Sequence, residues 1–156
     1  MRRKEKLVTD VNILHKVINE AQVCRIGLVN GDLPYVIPLN FGFDGKYVYF
    51  HCATDGQKVE ILKKNNNVCL EFEQDISIIE AEKPCNWGVR YLSVVVHGTV
   101  EMLVDSGEKT YGLNQIIRQY KTDSQLYNFS PNELKSVLVY KVTPREIIGK
   151  VSGMLS

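Results

Sequence analysis

The pattern of apolar and polar positions changes period several times along this 156-residue chain. From Thr9 the spacing is helical. Thr9 or Asp10 can accept from the first free amides, and Val11, Leu14, Ile18 and Ala21 fall on one face. At Val23 the period drops to that of a strand. Val23 to Val29 is rich in β-formers, and Asn30-Gly31 supplies the positive-φ residues of a tight hairpin turn. Residues 34–43 read as the return strand, Asp44-Gly45 as a second turn and residues 46–52 as a third strand. In that third strand Tyr47, Tyr49 and His51 alternate with Val48, Phe50 and Cys52.

Residues 56–64 then suit a short helix with Val59 and Leu62 inward, stopped by Asn65-Asn66-Asn67, and 68–73 a fourth strand. Residues 76–87 are poorly periodic and include Pro84, which predicts a connection. A long strand follows over 90–104, with Gly98 marking a bulge or bend. Asp105 and Glu108 have capping-box spacing ahead of Leu113, Ile116, Ile117 and Tyr120, an amphipathic helix. Ser130-Pro131-Asn132-Glu133 opens another short helix. Residues 137–142 form a last strand that Pro144 is expected to break before a final run to Val151. About six strands joined by hairpins, with helices at the margins, predict a mainly β protein: one small antiparallel barrel occupying 1–156 as a single domain.

Composition narrows the function classes. Nineteen Lys and Arg against eighteen Asp and Glu leave a net charge of +1. That balance offers no electrostatic ground for a nucleic-acid or membrane partner. The one basic run, Arg2, Arg3, Lys4 and Lys6, is interrupted by Glu5 and reads as a solvated terminus. No apolar run approaches the ~20 residues of a membrane span, and no signal-peptide core is present, so the expected location is cytoplasmic. Cys24, Cys52, Cys69 and Cys85 are widely spaced without a C-x-x-C pair, which predicts free thiols and no zinc site.

Catalytic spacings of the common kinds are absent: no G-x-S-x-G, no phosphate-binding P-loop and no G-x-G-x-x-G. His15 reads as a surface residue and His97 as structural. The most suggestive stretch is His51 followed by Cys52-Ala53-Thr54-Asp55-Gly56-Gln57-Lys58. There a strand ends and a helix begins, and free amides with a Lys in the first turn suit a phosphate. Many such turns hold a Lys with no ligand, so both readings stay open on spacing alone.

Longer motifs carry a family resemblance. Tyr35-Val36-Ile37-Pro38-Leu39-Asn40-Phe41-Gly42-Phe43-Asp44-Gly45, then Tyr49-Phe50-His51 and Gly56-Gln57-Lys58, resemble the N-terminal signature of nitroimidazole-resistance (Nim-type) flavoproteins. Cys85-Asn86-Trp87-Gly88-Val89-Arg90-Tyr91-Leu92-Ser93-Val94, followed by Gly98, is similar to their second signature. Val23 to Leu28 and Gly149-Lys150 fit as well. The resemblance spans roughly residues 10 to 150 and places the chain with proteins like pyridoxamine-phosphate oxidase.

Several expectations follow from the resemblance. The fold is an FMN-binding split β-barrel, working as a homodimer with flavin between the subunits; FMN is the implied cofactor, and FAD stays open. Ile37, Pro38, Leu39 and Asn40 run along the isoalloxazine. His51 and Cys52 line the ring or ribityl chain. Gln57 and Lys58 belong to the phosphate turn, with Lys58 on the phosphate, and Ser93 reaches the partner's flavin. Trp87, Arg90 and Tyr91 sit near the entrance; the resemblance assigns no place or role to Lys150. The implied activity is a flavin-dependent reductase of nitroaromatic or other electron-poor small molecules, with His51 as the catalytic proton source. A non-catalytic flavin-storage protein and a pyridoxamine-phosphate oxidase-like enzyme are the alternatives. The oxidases carry a basic residue where this chain has Asn40, an Arg where it has Gln57, and an Arg-x-His tail that is not found here.

Overall fold

The computed structural model describes residues 4–121 and 125–153, so Arg2 and Arg3 of the basic run lie outside the described residues. Strands β1 (Leu7–Val8), β2 (Cys24–Asn30), β3 (Leu33–Leu39), β4 (Gly42–Phe43), β5 (Val48–Cys52), β6 (Asn67–Ile79), β7 (Gly88–Met102) and β8 (Leu138–Ser152) alternate with helices α1 (Val11–Glu20), α2 (Gln57–Lys64), α3 (Ser106–Tyr120) and α4 (Pro131–Lys135). All pairings are antiparallel. The sheet order is β3-β2-β6-β7-β8-β5-β4, with β1 added alongside β8. The expected half-dozen strands become eight. The additions are the two-residue β1 and β4, too short to display an alternation.

The sheet curls so that its inner face encloses an apolar core of Ile26, Leu28, Val48, Phe50, Leu70, Phe72, Val94, Val96 and Val142. Phe41, in the link between β3 and β4, packs edge-on against Phe72 of β6 with ring centres 4.9 Å apart. Residues from one margin of the sheet thereby close over its middle. Leu14, Val17 and Ile18 of α1 seal one end, and Ile61 and Leu62 of α2 join the same core. Helix α3 lies on the other side of the sheet, where Tyr49, Leu103, Ile116 and Val139 form a second small core.

Helix starts follow the sequence closely. Asp10 caps α1 by accepting from the Asn12 amide, and Asp105 caps α3 by accepting from the Glu108 amide. The complete reciprocal box stands at α4, between Ser130 and Glu133.

Two strand boundaries differ from expectation. Residues 76–79, read as connection, continue β6 past a bulge between Gln74 and Ser77, where Asp75 takes φ 56°. Ile76 and Ile78 stay exposed there, because the end of this hairpin runs beyond the core and has no buried face to impose an alternation. Pro144 does not end β8. It pairs with Gly98 at a register shift, His97 opposing Glu146 and Gly98 opposing Pro144, and a bulge is where a strand tolerates a residue without an N–H. Pro34 and Pro38 obey the same rule on β3, which stands at the sheet margin.

Close backbone approach fixes how α3 seats. A Cβ on Gly42 would stand 2.3 Å from the Gln115 carbonyl carbon, so β4 and α3 touch only because position 42 has no side chain. Gly42→Ala is expected to cost about 2 kcal/mol by overpacking, read from the denaturant midpoint. Gly88→Ala, whose Cβ would meet nothing nearer than Ile79 at 4.0 Å, serves as the near-neutral control. Equal midpoints for the two variants would refute this account of α3.

Candidate functional site

The corner where β5 meets α2 gathers four of the expected site residues. Val48 and Phe50 are buried, the exposed His51 points off the opposite face, and Cys52 is half-buried at the rim of the core. Gly56, with φ 119°, turns the chain into α2 without steric cost. Its carbonyl accepts from the Glu60 amide at 3.2 Å, so the amides of Gln57, Lys58 and Val59 precede the first bond of the helix ladder. Lys58 folds back over β5 with Nζ 5.7 Å from the centre of the Phe50 ring. Burial and the Lys58 charge together push the His51 pKa below its ordinary value. Burial raises that of the Cys52 thiol, against the pull of Lys58. His51, Cys52, Gln57 and Lys58 therefore form one cluster: a cation and free helix amides beside an imidazole of lowered pKa.

On β3 the alternation divides the four expected contacts. Ile37 and Leu39 turn into the core, whereas Pro38 and Asn40 are exposed. Ile37 and Leu39 can meet a ligand only through their backbone.

Ser93 lies elsewhere. It opposes Glu73 on β6 and Lys150 on β8, on the outer face of the sheet, and is only 9% exposed. Along β8 the partner of Ser93 is Lys150 and the partner of His51 is Val139, eleven residues apart. At about 3.3 Å per residue, less the shortening of a bent strand, that is roughly 30 Å. One chain does not bring Ser93 to its own His51 and Lys58. The four α-helices lie away from the Ser93 region. Helix α3 covers the outer face near Tyr49 and Val139, while α1 and α2 pack on the inner side. Val36, 62% exposed, and the half-buried Val95 and Ile148 are left on the uncovered stretch.

Of the entrance residues, Trp87 donates its indole N–H to the Ala81 carbonyl at 2.7 Å, and Arg90 donates to the Gly153 carbonyl at 3.3 Å. Sequence reasoning missed two pairings on the outer face. Arg25 bridges Glu71 at 3.2 Å and Glu73 at 2.6 Å, and Lys150 donates to the Tyr91 hydroxyl at 2.6 Å. The signal for the second was the alternation Glu146, Ile148, Lys150, hidden by the expectation that Pro144 ended the strand.

The donor set suits a flavin nucleotide. A phosphate matches Lys58 and the α2 amides, and the polar ring edge matches Asn40 and exposed β3 backbone. Beside the corner an apolar cavity of about 440 Å³, lined by Val59, Leu62, Leu138 and Tyr140 among others, has room for an aromatic group.

Comparison with known proteins gives the family and the fold. The family model for pyridoxamine 5'-phosphate oxidase matches residues 10–151. A crystal structure from Bacteroides thetaiotaomicron, described as a candidate 5-nitroimidazole antibiotic resistance protein, is 32% identical with TM-score 0.82, over 93% of this chain and 86% of that one. At 19% identity the flavocytochrome of Azotobacter vinelandii (TM-score 0.85, 99% and 72% covered) shares the fold. So does an FAD- and heme-binding protein of Mycobacterium smegmatis (0.86, 96% and 74%). No curated protein sequence matches. The architecture is the split barrel of flavin-binding proteins, and no described helix is long and apolar enough to cross a membrane.

The lowered pKa of His51 has a pH consequence. Its folded pKa lies below the unfolded one, so the unfolded chain binds the proton more readily, and this residue's contribution to stability falls as pH drops through the ordinary value of 6.5. Proton NMR should find His51 titrating below that value, and Lys58→Met should move it upward. An unchanged titration in that variant would remove Lys58 as a cause.

Proposed function

Because the chain belongs to the pyridoxamine 5'-phosphate oxidase family, we propose that it is a cytoplasmic, homodimeric FMN-dependent reductase of nitroaromatic or other electron-poor small molecules. The observation that carries this reading is the separation of the site residues. The phosphate corner at Lys58 and the Ser93 face are far apart in one chain, and among the described residues the four α-helices leave the outer sheet face around Ser93 uncovered. Two copies related by a two-fold axis can set the corner of one against the face of the other, covering Val36, Val95 and Ile148 in the same step. The acceptor class rests on the likeness to the Bacteroides protein.

Each residue has a part in this reading. Lys58 and the amides of Gln57 and Lys58 hold the phosphate. The β3 backbone at Ile37 and Leu39, with Pro38 and Asn40, borders the ring, and Cys52 and His51 line it from β5. Ser93 of the second copy completes the site. Bound flavin would supply the two-electron chemistry. His51 can give a proton as imidazolium, and its lowered pKa confines that form to the acid side. Asn40 and Gln57 are exposed and uncharged, which suits a site holding one phosphorylated ligand better than two.

Purified or reconstituted protein should show flavin bands near ~370 and ~450 nm, and scattering should give about twice the 17.8 kDa chain mass. A colourless protein that takes up neither FMN nor FAD would end the proposal. Lys58→Ala should weaken FMN by roughly one to two decades, the worth of a charge-assisted bond to phosphate, and riboflavin much less. Equal losses for both ligands would place Lys58 away from the phosphate. NAD(P)H-dependent turnover of a nitroimidazole by the loaded protein separates a reductase from a flavin store.

A further inference from the structure

Tyr91 and Lys150 form a second proton-bearing group on the outer sheet face. Lys150 Nζ donates to the Tyr91 hydroxyl at 2.6 Å and stands 5.2 Å from the ring centre. Both belong to the Ser93 neighbourhood: Lys150 is the cross-strand partner of Ser93, and Tyr91 is two residues before it on β7, on the same face. The surroundings of Tyr91 are cationic. Ser152 stands opposite on β8, Lys6 approaches from the N-terminal segment, and the neighbouring Arg90 is anchored to the Gly153 carbonyl. On the β6 side the bulge sets Asp75 and Ile76 across from Tyr91, and the next acid, Glu73, is engaged by Arg25.

This is the environment a phenol needs in order to act as an acid. A tyrosine hydroxyl ordinarily holds its proton to pH 10, too strongly to give it up readily near neutrality. The Lys150 hydrogen bond lowers the Tyr91 pKa most, against the effect of burial, and the charges of Lys150 and Lys6 and the Ser152 bond add to it. His51 has the opposite problem: burial and Lys58 lower its pKa, so it is charged only at more acid pH than an ordinary imidazole.

We propose that Tyr91, polarised by Lys150, is the proton donor to the reduced acceptor, in a site that Ser93, Tyr91 and Lys150 of one chain complete against His51 and Lys58 of the second copy. The inference rests on the flavin-reductase reading. For a nitro group the balance is simple. Bound reduced flavin would supply the acceptor with an electron pair and one proton, as hydride, and Tyr91 gives the second proton. The Tyr91 O–H bond breaks as a new O–H bond forms on the acceptor oxygen. One N–O bond is lost, and the products are the nitroso compound and water. The phenolate is held by the Lys150 ammonium until solvent returns the proton. Tyr91 thus serves above the range in which His51 is charged and below its own lowered pKa.

Two measurements test this. Phenolate absorbance of the apo-protein, wild type minus Tyr91→Phe, should isolate a tyrosine that titrates below the ordinary range. Lys150→Met should return it to that range and Lys150→Arg should keep it low. In the flavin-loaded protein Tyr91→Phe should lower kcat by about a hundredfold at neutral pH, the scale of general acid catalysis, with flavin affinity and Tm within error of wild type. The residual rate should rise toward acid pH as His51 becomes charged. Wild-type kcat in Tyr91→Phe, or a phenol titration indifferent to Lys150→Met, overturns the donor role and leaves the reductase reading standing. A protein that binds flavin but reduces no acceptor at any pH overturns both.

Discussion

The bend at Gly98 and Pro144 is the constraint on which the rest of the architecture depends. Strands β7 and β8 are each fifteen residues long and pair along most of their length. Two straight strands of that size could not wall a small barrel. At the bend β8 carries one extra residue, Arg145, and Gly98 comes so near that a Cβ would lie 2.5 Å from the Thr143 carbonyl oxygen. On one side of it, Val100 and Val142 line the core and Val139 supports α3. On the other, Val94 and Val96 line the core while Ser93, Val95 and Lys150 face outward. The bulge both closes the fold and separates the two halves of the candidate site.

Charge is distributed to match this division. At the β5–α2 corner Lys58 stands near an imidazole and a thiol and acts on both, disfavouring the protonated form of one and favouring the anion of the other. On the outer face Arg25 is committed to Glu71 and Glu73, which leaves Lys150 and Lys6 as the cations acting on Tyr91. A cation that holds an imidazole neutral and one that acidifies a phenol obey the same rule: each favours the less positive form of its neighbour.

Much of this was legible beforehand because it is local. The caps at Asp10 and Ser130, the β2–β3 hairpin (its turn at Gly31-Asp32, with Asn30 paired in the strand rather than in the turn), the Gly98 bulge and the helices of Leu14 and Ile116 all follow from residues within a few positions of one another. So does the cluster of His51, Gln57 and Lys58, since a strand end and the helix that follows it cannot lie far apart. What failed was non-local. Pro144 reads as a breaker until its partner Gly98, far away in the chain, is seen to make room for it. Ile76 and Ile78 read as loop because their strand has no buried face.

By itself, then, the sequence determined the kinds of element, most of their ends, the antiparallel barrel and the family signatures, since propensity, capping and turn chemistry act over short stretches of chain. Only the tertiary structure decided the strand order, the unbroken β8 and the placing of Tyr91 against Lys150. It also decided the distance between Ser93 and His51. The physical reason is that side chains fifty-nine residues apart, as Tyr91 and Lys150 are, become neighbours only through the register of paired strands, and register is set by the whole ladder at once.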